Sequence, residues 1–176
     1  VEKGQYSWTN DAFNQYYSVV INEKDSFQKP QPLRNFLGRD INDAPMSYSK
    51  NGMVAITSNN FMDGIRQIDG SGLMMDIYLY KTTALNEWEE SETFFQYNSV
   101  VNSEKPYSTG HPFLSSDGNV MFFCSNRPGG YGGYDIYMCQ KQKNDWSEPK
   151  NLGPEINSPG NEMCPFFDNA GNLYFS

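Results

Sequence analysis

The apolar and polar positions of this chain follow a pattern that occurs three times. In each copy, a proline-containing segment leads to a turn that ends in glycine, and an apolar burst follows the turn. The copies span residues 44–57, 111–124 and 164–175. A period of this size indicates a repeat architecture, in which one unit cannot bury its own apolar face and stacks on the next unit.

Each complete repeat is predicted to form four short β-strands. The first strand holds the proline, and Asn51-Gly52 or Asp117-Gly118 follows it, which are dipeptides that tolerate the positive φ of a hairpin turn. The second and third strands are continuous apolar or aromatic runs, which indicates burial on both faces. The fourth strand, near residues 146–152, contains Pro149. Because proline cannot donate to a sheet ladder, this strand is predicted to lie at the edge.

The two complete repeats also align beyond their first strands. Three pairs of segments match: 76–80 with 135–139, 86–88 with 144–146, and 101–103 with 156–158. The last pair equates Asn102 with Asn157. Trp88 and Trp146 occupy one repeat position and are predicted to be core residues.

We therefore predict an all-β chain that forms a β-propeller segment of about three four-stranded antiparallel blades. The predicted parts are the second half of a blade at 1–41, a complete blade at 42–104 with an insertion at 60–74, a complete blade at 105–160, and the first strands of a further blade at 161–176. In the first part, 16–21 takes the place of a third strand, 27–33 that of a fourth, and 38–42 matches 153–157. Since closed propellers have about four to eight blades, we expect the chain to belong to a larger propeller or to close by association of copies.

Composition excludes two classes of partner. The chain is 38% hydrophobic and 15% aromatic, which suits a β-rich core. Its net charge is −8 and its 13 Lys and Arg are scattered, so nucleic acid is not predicted as a partner. No apolar run approaches the roughly 18 residues that a membrane helix needs, so direct membrane insertion is not predicted either.

Neither a catalytic residue nor a metal or cofactor site is predicted. His111 is the only histidine, and it occupies the repeat position of Ala44 and Cys164, which favours a packing or channel-lining role. The glycines between 129 and 133 are flanked by strands and lack the helix N-terminus of a phosphate site. The turns at 115–119 and 168–172 lack the spaced carboxylates of a calcium loop.

Two further residue classes have structural predictions. The three cysteines, Cys124, Cys139 and Cys164, lack CxxC spacing and are predicted to be buried free thiols, with a disulfide as the alternative. Asp76 and Asp135 open equivalent strands. We predict that each accepts hydrogen bonds from the adjacent glycine-rich loop; a ring of functional carboxylates is the alternative.

The motifs of the second complete repeat resemble a known family. Segments 112–118, 125–130 and 133–137 resemble the WD-repeat-like "PD" β-propeller repeat, found in TolB and in OmpA-like peptidoglycan-associated proteins. The 146–153 tail is similar to those of Bacteroidota envelope proteins, one of which belongs to the type IX secretion system. The resemblance covers nearly all of residues 16–176. It implies a periplasmic, outer-membrane-associated, non-catalytic protein whose partner is another envelope protein, and peptidoglycan binding only through an OmpA-like domain outside this chain.

The predicted partner-binding surface is the loop face formed by the insertion and by the glycine-rich loop. Loops on a rigid scaffold commonly carry recognition, and aromatic and arginine side chains dominate interfaces. The residues assigned to it are Phe61, Ile65, Ile68, Leu73, Arg127 and Tyr131. The alternative for the insertion is that it packs on its neighbour.

The leading hypothesis from sequence is thus a protein-interaction scaffold of the cell envelope that is not an enzyme. Two alternatives stay open: the propeller domain of a hydrolase (peptidase or glycosidase), and a module that binds glycans or peptidoglycan fragments.

Overall fold

The computed structural model of the chain describes residues 17–21, 26–32, 43–59, 61–62, 65–66, 68–69, 72–84, 87–88, 93–99, 104–143 and 145–176. Val1–Asp43 and Ala44–Ser176 form two compact units. The described residues form β-strands joined by turns and loops, and the strands pair antiparallel. The prediction of an all-β chain is confirmed. No helix in the described ranges has the length and hydropathy needed to cross a membrane.

The first unit contains one small antiparallel ladder. β1 (Tyr17–Ser18) pairs with β2 (Gln31–Pro32), so that Tyr17 lies opposite Pro32. An isolated bridge joins Ile21 and Phe27. The two strands fall within the predicted segments 16–21 and 27–33, whereas segment 38–42 lies outside the described residues.

The second unit begins with a sheet that we call sheet I. Its strands, in chain order with the hairpins of the insertion, are β3 (Asp43–Tyr48), β4 (Met53–Asn59), β5 (Phe61–Met62), β6 (Ile65–Arg66), β7 (Ile68–Asp69), β8 (Gly72–Leu73), β9 (Met75–Ala84), β10 (Glu87–Trp88) and β11 (Thr93–Phe94). The order in the sheet is β3-β4-β9, and both β10 and β11 pair with β9. β5 pairs with β6 and β7 with β8, as two separate hairpins.

The next five strands form sheet II, which has the same connectivity. They are β12 (Thr109–Leu114), β13 (Val120–Ser125), β14 (Asp135–Gln142), β15 (Asp145–Trp146) and β16 (Lys150–Asn151). The order is β12-β13-β14, with β15 and β16 both paired with β14. A third hairpin follows, of β17 (Phe166–Phe167) and β18 (Leu173–Tyr174).

The fourth strand of sheet II is split, where one continuous edge strand was expected. In sheet II, β15 pairs with Lys141 and Gln142, whereas β16 pairs with Tyr137 and Met138. Pro149 lies between the two segments and has no N–H to donate, so the ladder is interrupted there. The prediction that this proline-containing segment lies at the sheet edge is confirmed, and its continuity was wrong.

The predicted turn glycines adopt the conformation that their dipeptides favour. Gly52, Gly118 and Gly171 have φ of +82°, +72° and +92°. The turns also meet each other: the Asn51 side-chain amide donates to the Asp117 carbonyl oxygen at 3.0 Å. A side chain at Gly118 would also displace the Asn51 side chain, and the positive φ alone favours glycine there.

Sheets I and II bury their facing sides in one shared apolar cluster. Phe95 from sheet I contacts Phe123 from β13 edge-to-face at 5.4 Å between ring centroids, and both are fully buried. The cluster contains Ala55, Ile77, Leu79, Phe95, Leu114, Met121, Phe123, Tyr137, Cys139 and Trp146. The opposite side of β13 is covered by the third hairpin, because Phe122 stacks on Phe167 at 5.2 Å. Burial of the β13 strand on both faces is thus confirmed, as is the core position of Trp146; the Trp88 side chain lies outside the described residues.

Two buried asparagines bind the backbone of the third strand in sheets I and II. The Asn157 carboxamide accepts from the Ile136 N–H at 2.8 Å and donates to the Ile136 carbonyl at 3.1 Å. Asn98 does the same to Ile77, at 2.9 and 2.7 Å. The structural counterpart of Asn157 is therefore Asn98, so the alignment of Asn157 with Asn102 was wrong. Asn-Ser occurs at both 98–99 and 102–103, and unequal connections before the asparagine hid the correct pairing.

We predict that Asn157→Ala destabilises the second unit strongly. The change leaves the buried N–H of Ile136 without a partner, while the Ile136 carbonyl keeps its bond from the Leu152 N–H. It should lower the free energy of unfolding by about 1–3 kcal/mol. Asn169→Ala, at an exposed turn position, is the matched control and should change it by less than about 0.5 kcal/mol. Urea denaturation of both variants measures the difference, and equal stabilities would contradict the role of the Asn157 side chain in binding the Ile136 backbone.

Candidate functional site

A buried aspartate organises the glycine-rich loop between β13 and β14. Asp135 is 1% exposed at the start of β14. Its carboxylate accepts from the backbone N–H of Tyr131 at 2.6 Å, from that of Gly132 at 3.1 Å and from the Asn151 side chain at 2.6 Å. The prediction that this aspartate fixes the loop is confirmed. For Asp76 the corresponding loop is the insertion, which is only partly described.

The tip of the loop also forms hydrogen bonds with the segment that leads toward the third hairpin. Gly133 N–H donates to the Gly160 carbonyl at 2.7 Å, and Tyr134 N–H donates to the Asn161 side chain at 2.9 Å. A side chain at Gly132 would collide with the backbone of this segment. The glycines thus serve close backbone packing, as expected for turn residues. The anchoring residues 158–161 were not identified from sequence, although Ser-Pro-Gly-Asn is a turn signal.

The Arg127 guanidinium is held inside an aromatic cage at the base of the loop. Its central carbon lies 4.9 Å from the centroid of Tyr137, 5.1 Å from that of Tyr107 and 5.3 Å from that of Phe123. Arg127 also donates to the Tyr97 carbonyl at 3.0 Å. Burial lowers the pKa of this guanidinium. These contacts are intramolecular and join sheets I and II. Arg127 therefore has a structural role, in addition to its predicted place in the partner-binding surface.

Tyr131 is the side chain that the loop presents to solvent. Its side chain is 51% exposed, while its backbone N–H is bound to Asp135. An exposed aromatic on a fixed backbone loses little conformational freedom on binding, which favours recognition. Tyr131 therefore keeps its place in the candidate surface.

The other four predicted surface residues lie on the insertion. Phe61 belongs to β5 and Ile65 to β6, and these strands pair; Ile68 of β7 lies opposite Leu73 of β8. The described part of the insertion thus contains two short strand pairs. The side chains of these four residues lie outside the described residues.

A cleft of about 850 Å³ lies where the three glycine-containing turns meet. Lys50, Asp117, Phe167 and Asp168 line it together with small and amide side chains. The Ser115 hydroxyl, followed by Asn119, lowers the pKa of Asp117, and the Asn172 side chain does the same for Asp168. Both carboxylates are consequently ionised over the physiological range. The cleft was not predicted, because it depends on how consecutive turns approach each other.

The cysteines are all free, and two of them are buried as predicted. Cys124 and Cys139 are fully buried in sheet II, but Cys164 is exposed, which corrects its prediction as a buried thiol. Cys164 precedes β17 rather than lying within a sheet. Its sulfur lies 2.9 Å from His111 Nδ1. His111 itself is half-buried at the start of β12. Within the ranges that the structure describes, no three His, Cys, Asp or Glu side chains are grouped to hold a metal ion.

Comparisons of the chain with protein-family models, with curated proteins and with solved structures find no match. The fold class consequently depends on the strand pairings described above. The loop and the cleft, with the side chains that they present, are the features that bear on function.

We predict that Asp135→Asn releases the glycine-rich loop. The amide replaces one carboxylate oxygen with a donor, which then faces the N–H of either Tyr131 or Gly132, and the remaining oxygen is uncharged. Losing one of these charge-assisted bonds and weakening the other should cost about 2–3 kcal/mol in the free energy of unfolding. Amide hydrogen exchange at residues 131 and 132 should accelerate at least tenfold. Asp145→Asn, the same chemical change at an exposed position, should alter neither measurement, and unchanged exchange in Asp135→Asn would refute the anchoring role.

Proposed function

We propose that this chain is a non-catalytic protein-interaction scaffold, a β-propeller module whose loops bind another protein of the cell envelope. Its setting in this proposal is the periplasm, in association with the outer membrane, with type IX secretion or envelope anchoring as the process served. The resemblance of segments 112–118, 125–130 and 133–137 to propeller repeats of envelope proteins motivates this setting.

Three features support the propeller. Sheets I and II have the same connectivity and bury one cluster between them. The third hairpin continues the stack, because Phe113 contacts Phe166 at 5.1 Å just as Phe122 stacks on Phe167. Pro45, Pro112 and Pro165 lie at equivalent places, within or just before the first strand of each layer. Such stacking of consecutive antiparallel sheets with one connectivity is typical of radial repeats.

The observation that carries the binding proposal is Tyr131 on its pre-organised loop. The backbone N–H groups of residues 131, 132, 133 and 134 each donate one hydrogen bond, and these four bonds fix the loop backbone. Binding then pays little ordering entropy, while an amphipathic aromatic supplies contact area. A loop that served only to connect two strands would not require such anchoring together with a half-exposed tyrosine.

Glycan binding is the second candidate, and the turn cleft favours it. Phe167 supplies an aromatic face, and Asp117 and Asp168 supply ionised acceptors for hydroxyl groups. The cleft and the Tyr131 loop are lined by different residues, so variants can separate the two functions.

Photo-crosslinking tests the proposal with the intact protein in its own cells. A benzophenone amino acid at position 131 should give a discrete adduct with one envelope protein, and Tyr131→Ala should weaken binding of that purified protein at least tenfold, as expected for loss of an aromatic anchor. Tyr174, which is 54% exposed outside the loop, is the matched control position and should give neither effect.

Two results would overturn the scaffold proposal. One is the absence of any position-131 adduct above the position-174 background. The other is saturable heat on titration with soluble peptidoglycan fragments that is lost in Asp168→Ala, since that would transfer the function to the cleft.

A further inference from the structure

The junction between sheet II and the third hairpin brings a thiol and an imidazole together. Cys164 Sγ lies 2.9 Å from His111 Nδ1, and the two residues come from consecutive repeats. A metal ion bound by both atoms would hold them farther apart, since Zn–S and Zn–N bonds of about 2.3 and 2.0 Å at a tetrahedral angle give roughly 3.5 Å. The observed distance fits a shared hydrogen.

The backbone directs both side chains into this contact. His111 and Cys164 have φ of +52° and +53°, a left-handed conformation that is uncommon for side-chain-bearing residues and is found here at two equivalent repeat positions, each just before a proline. Because the conformation occurs at both of these positions, it is not by itself a sign of function. This junction is distinguished by its two side chains, a thiol and an imidazole in direct contact.

The imidazole is held in the state that accepts a proton. Burial lowers the pKa of His111, so its ring is neutral near pH 7. With the ring hydrogen on Nε2, the lone pair of Nδ1 faces the Cys164 thiol. The thiol itself is exposed and can be reached by a small reagent.

We propose that Cys164 and His111 form a reactive thiol–base pair, and that Cys164 is a site of covalent modification by low-molecular-weight disulfides. His111 Nδ1 takes the thiol proton while the sulfur lone pair attacks one sulfur of the disulfide. The S–S bond of the reagent breaks, a new S–S bond forms to Cys164, and the departing thiolate takes the proton from the imidazolium. The products are a mixed disulfide and one equivalent of small thiol, with no other oxidant required.

The other two cysteines provide an internal control. Burial, with a smaller contribution from Cys164, raises the pKa of Cys124 to about 12, and burial likewise raises that of Cys139 to about 12. Both therefore remain buried thiols in the folded protein. Modification of the native chain should stop at one thiol out of three.

The test measures the reaction of the full chain with 4,4′-dithiodipyridine at pH 7. This reagent is neutral, which avoids repulsion from a chain of net charge −8. One thiol should react at least about tenfold faster than N-acetylcysteine under the same conditions, and the other two only after denaturation. Cys164→Ser should abolish the fast phase. His111→Asn should slow it at least about tenfold, since asparagine tolerates the left-handed backbone but cannot take a proton.

Three outcomes would overturn the proposal: a Cys164 rate no faster than that of N-acetylcysteine, a fast phase that survives Cys164→Ser, or an unchanged rate in folded His111→Asn. Added imidazole should restore part of the rate in a folded His111→Gly or His111→Asn variant and not in the wild type, which a purely structural role of His111 does not predict. If the histidine variants fail to fold by circular dichroism, the comparison of wild type with N-acetylcysteine alone decides.

Discussion

The contact between Phe95 and Phe123 is the constraint on which the rest of the second unit depends. Each ring is fully buried at the interface of sheets I and II, and the two rings contact each other across it. Rings of this kind remove about 150–250 Å² each from water. Phe123 also stacks on Tyr137 at 5.9 Å, and both rings border the Arg127 guanidinium. The interface of the sheets and the base of the glycine-rich loop are therefore one continuous packing unit.

This continuity explains why the loop can be both rich in glycine and well ordered. Arg127 fixes its start to Tyr97 of the preceding layer, and Asp135 fixes its end from within β14. Its tip is bound to residues that lead into the following layer, through the Gly133–Gly160 bond. Glycine supplies the close approach while the anchors remove its conformational freedom. Loop order in this protein consequently depends on layer stacking as well as on Asp135 at the end of the loop itself.

The features that sequence predicted are those that a single repeat determines. Turn dipeptides, apolar runs and Pro149 act locally, and they specify hairpins, burial on both faces and an edge position. What the sequence did not reveal depends on neighbours. Arg127 is enclosed by rings that become adjacent only in the fold, and Asn98 was hidden because connections of unequal length precede the two clamping asparagines. The turn cleft likewise arises only where three separate turns meet.

A repeat that fixes one backbone conformation leaves the side chain at that position free to change. Thr57 Oγ1 accepts the His111 N–H at 2.7 Å, and Cys124 occupies the position of Thr57 one layer on. The same left-handed site then carries an imidazole at 111 and a thiol at 164. Because the scaffold maintains the geometry through backbone bonds and stacking, these substitutions change the chemistry of a junction without requiring a new fold. Equivalent positions that carry different side chains can accordingly differ in function, and the 111–164 junction, with an imidazole beside a thiol, is such a place.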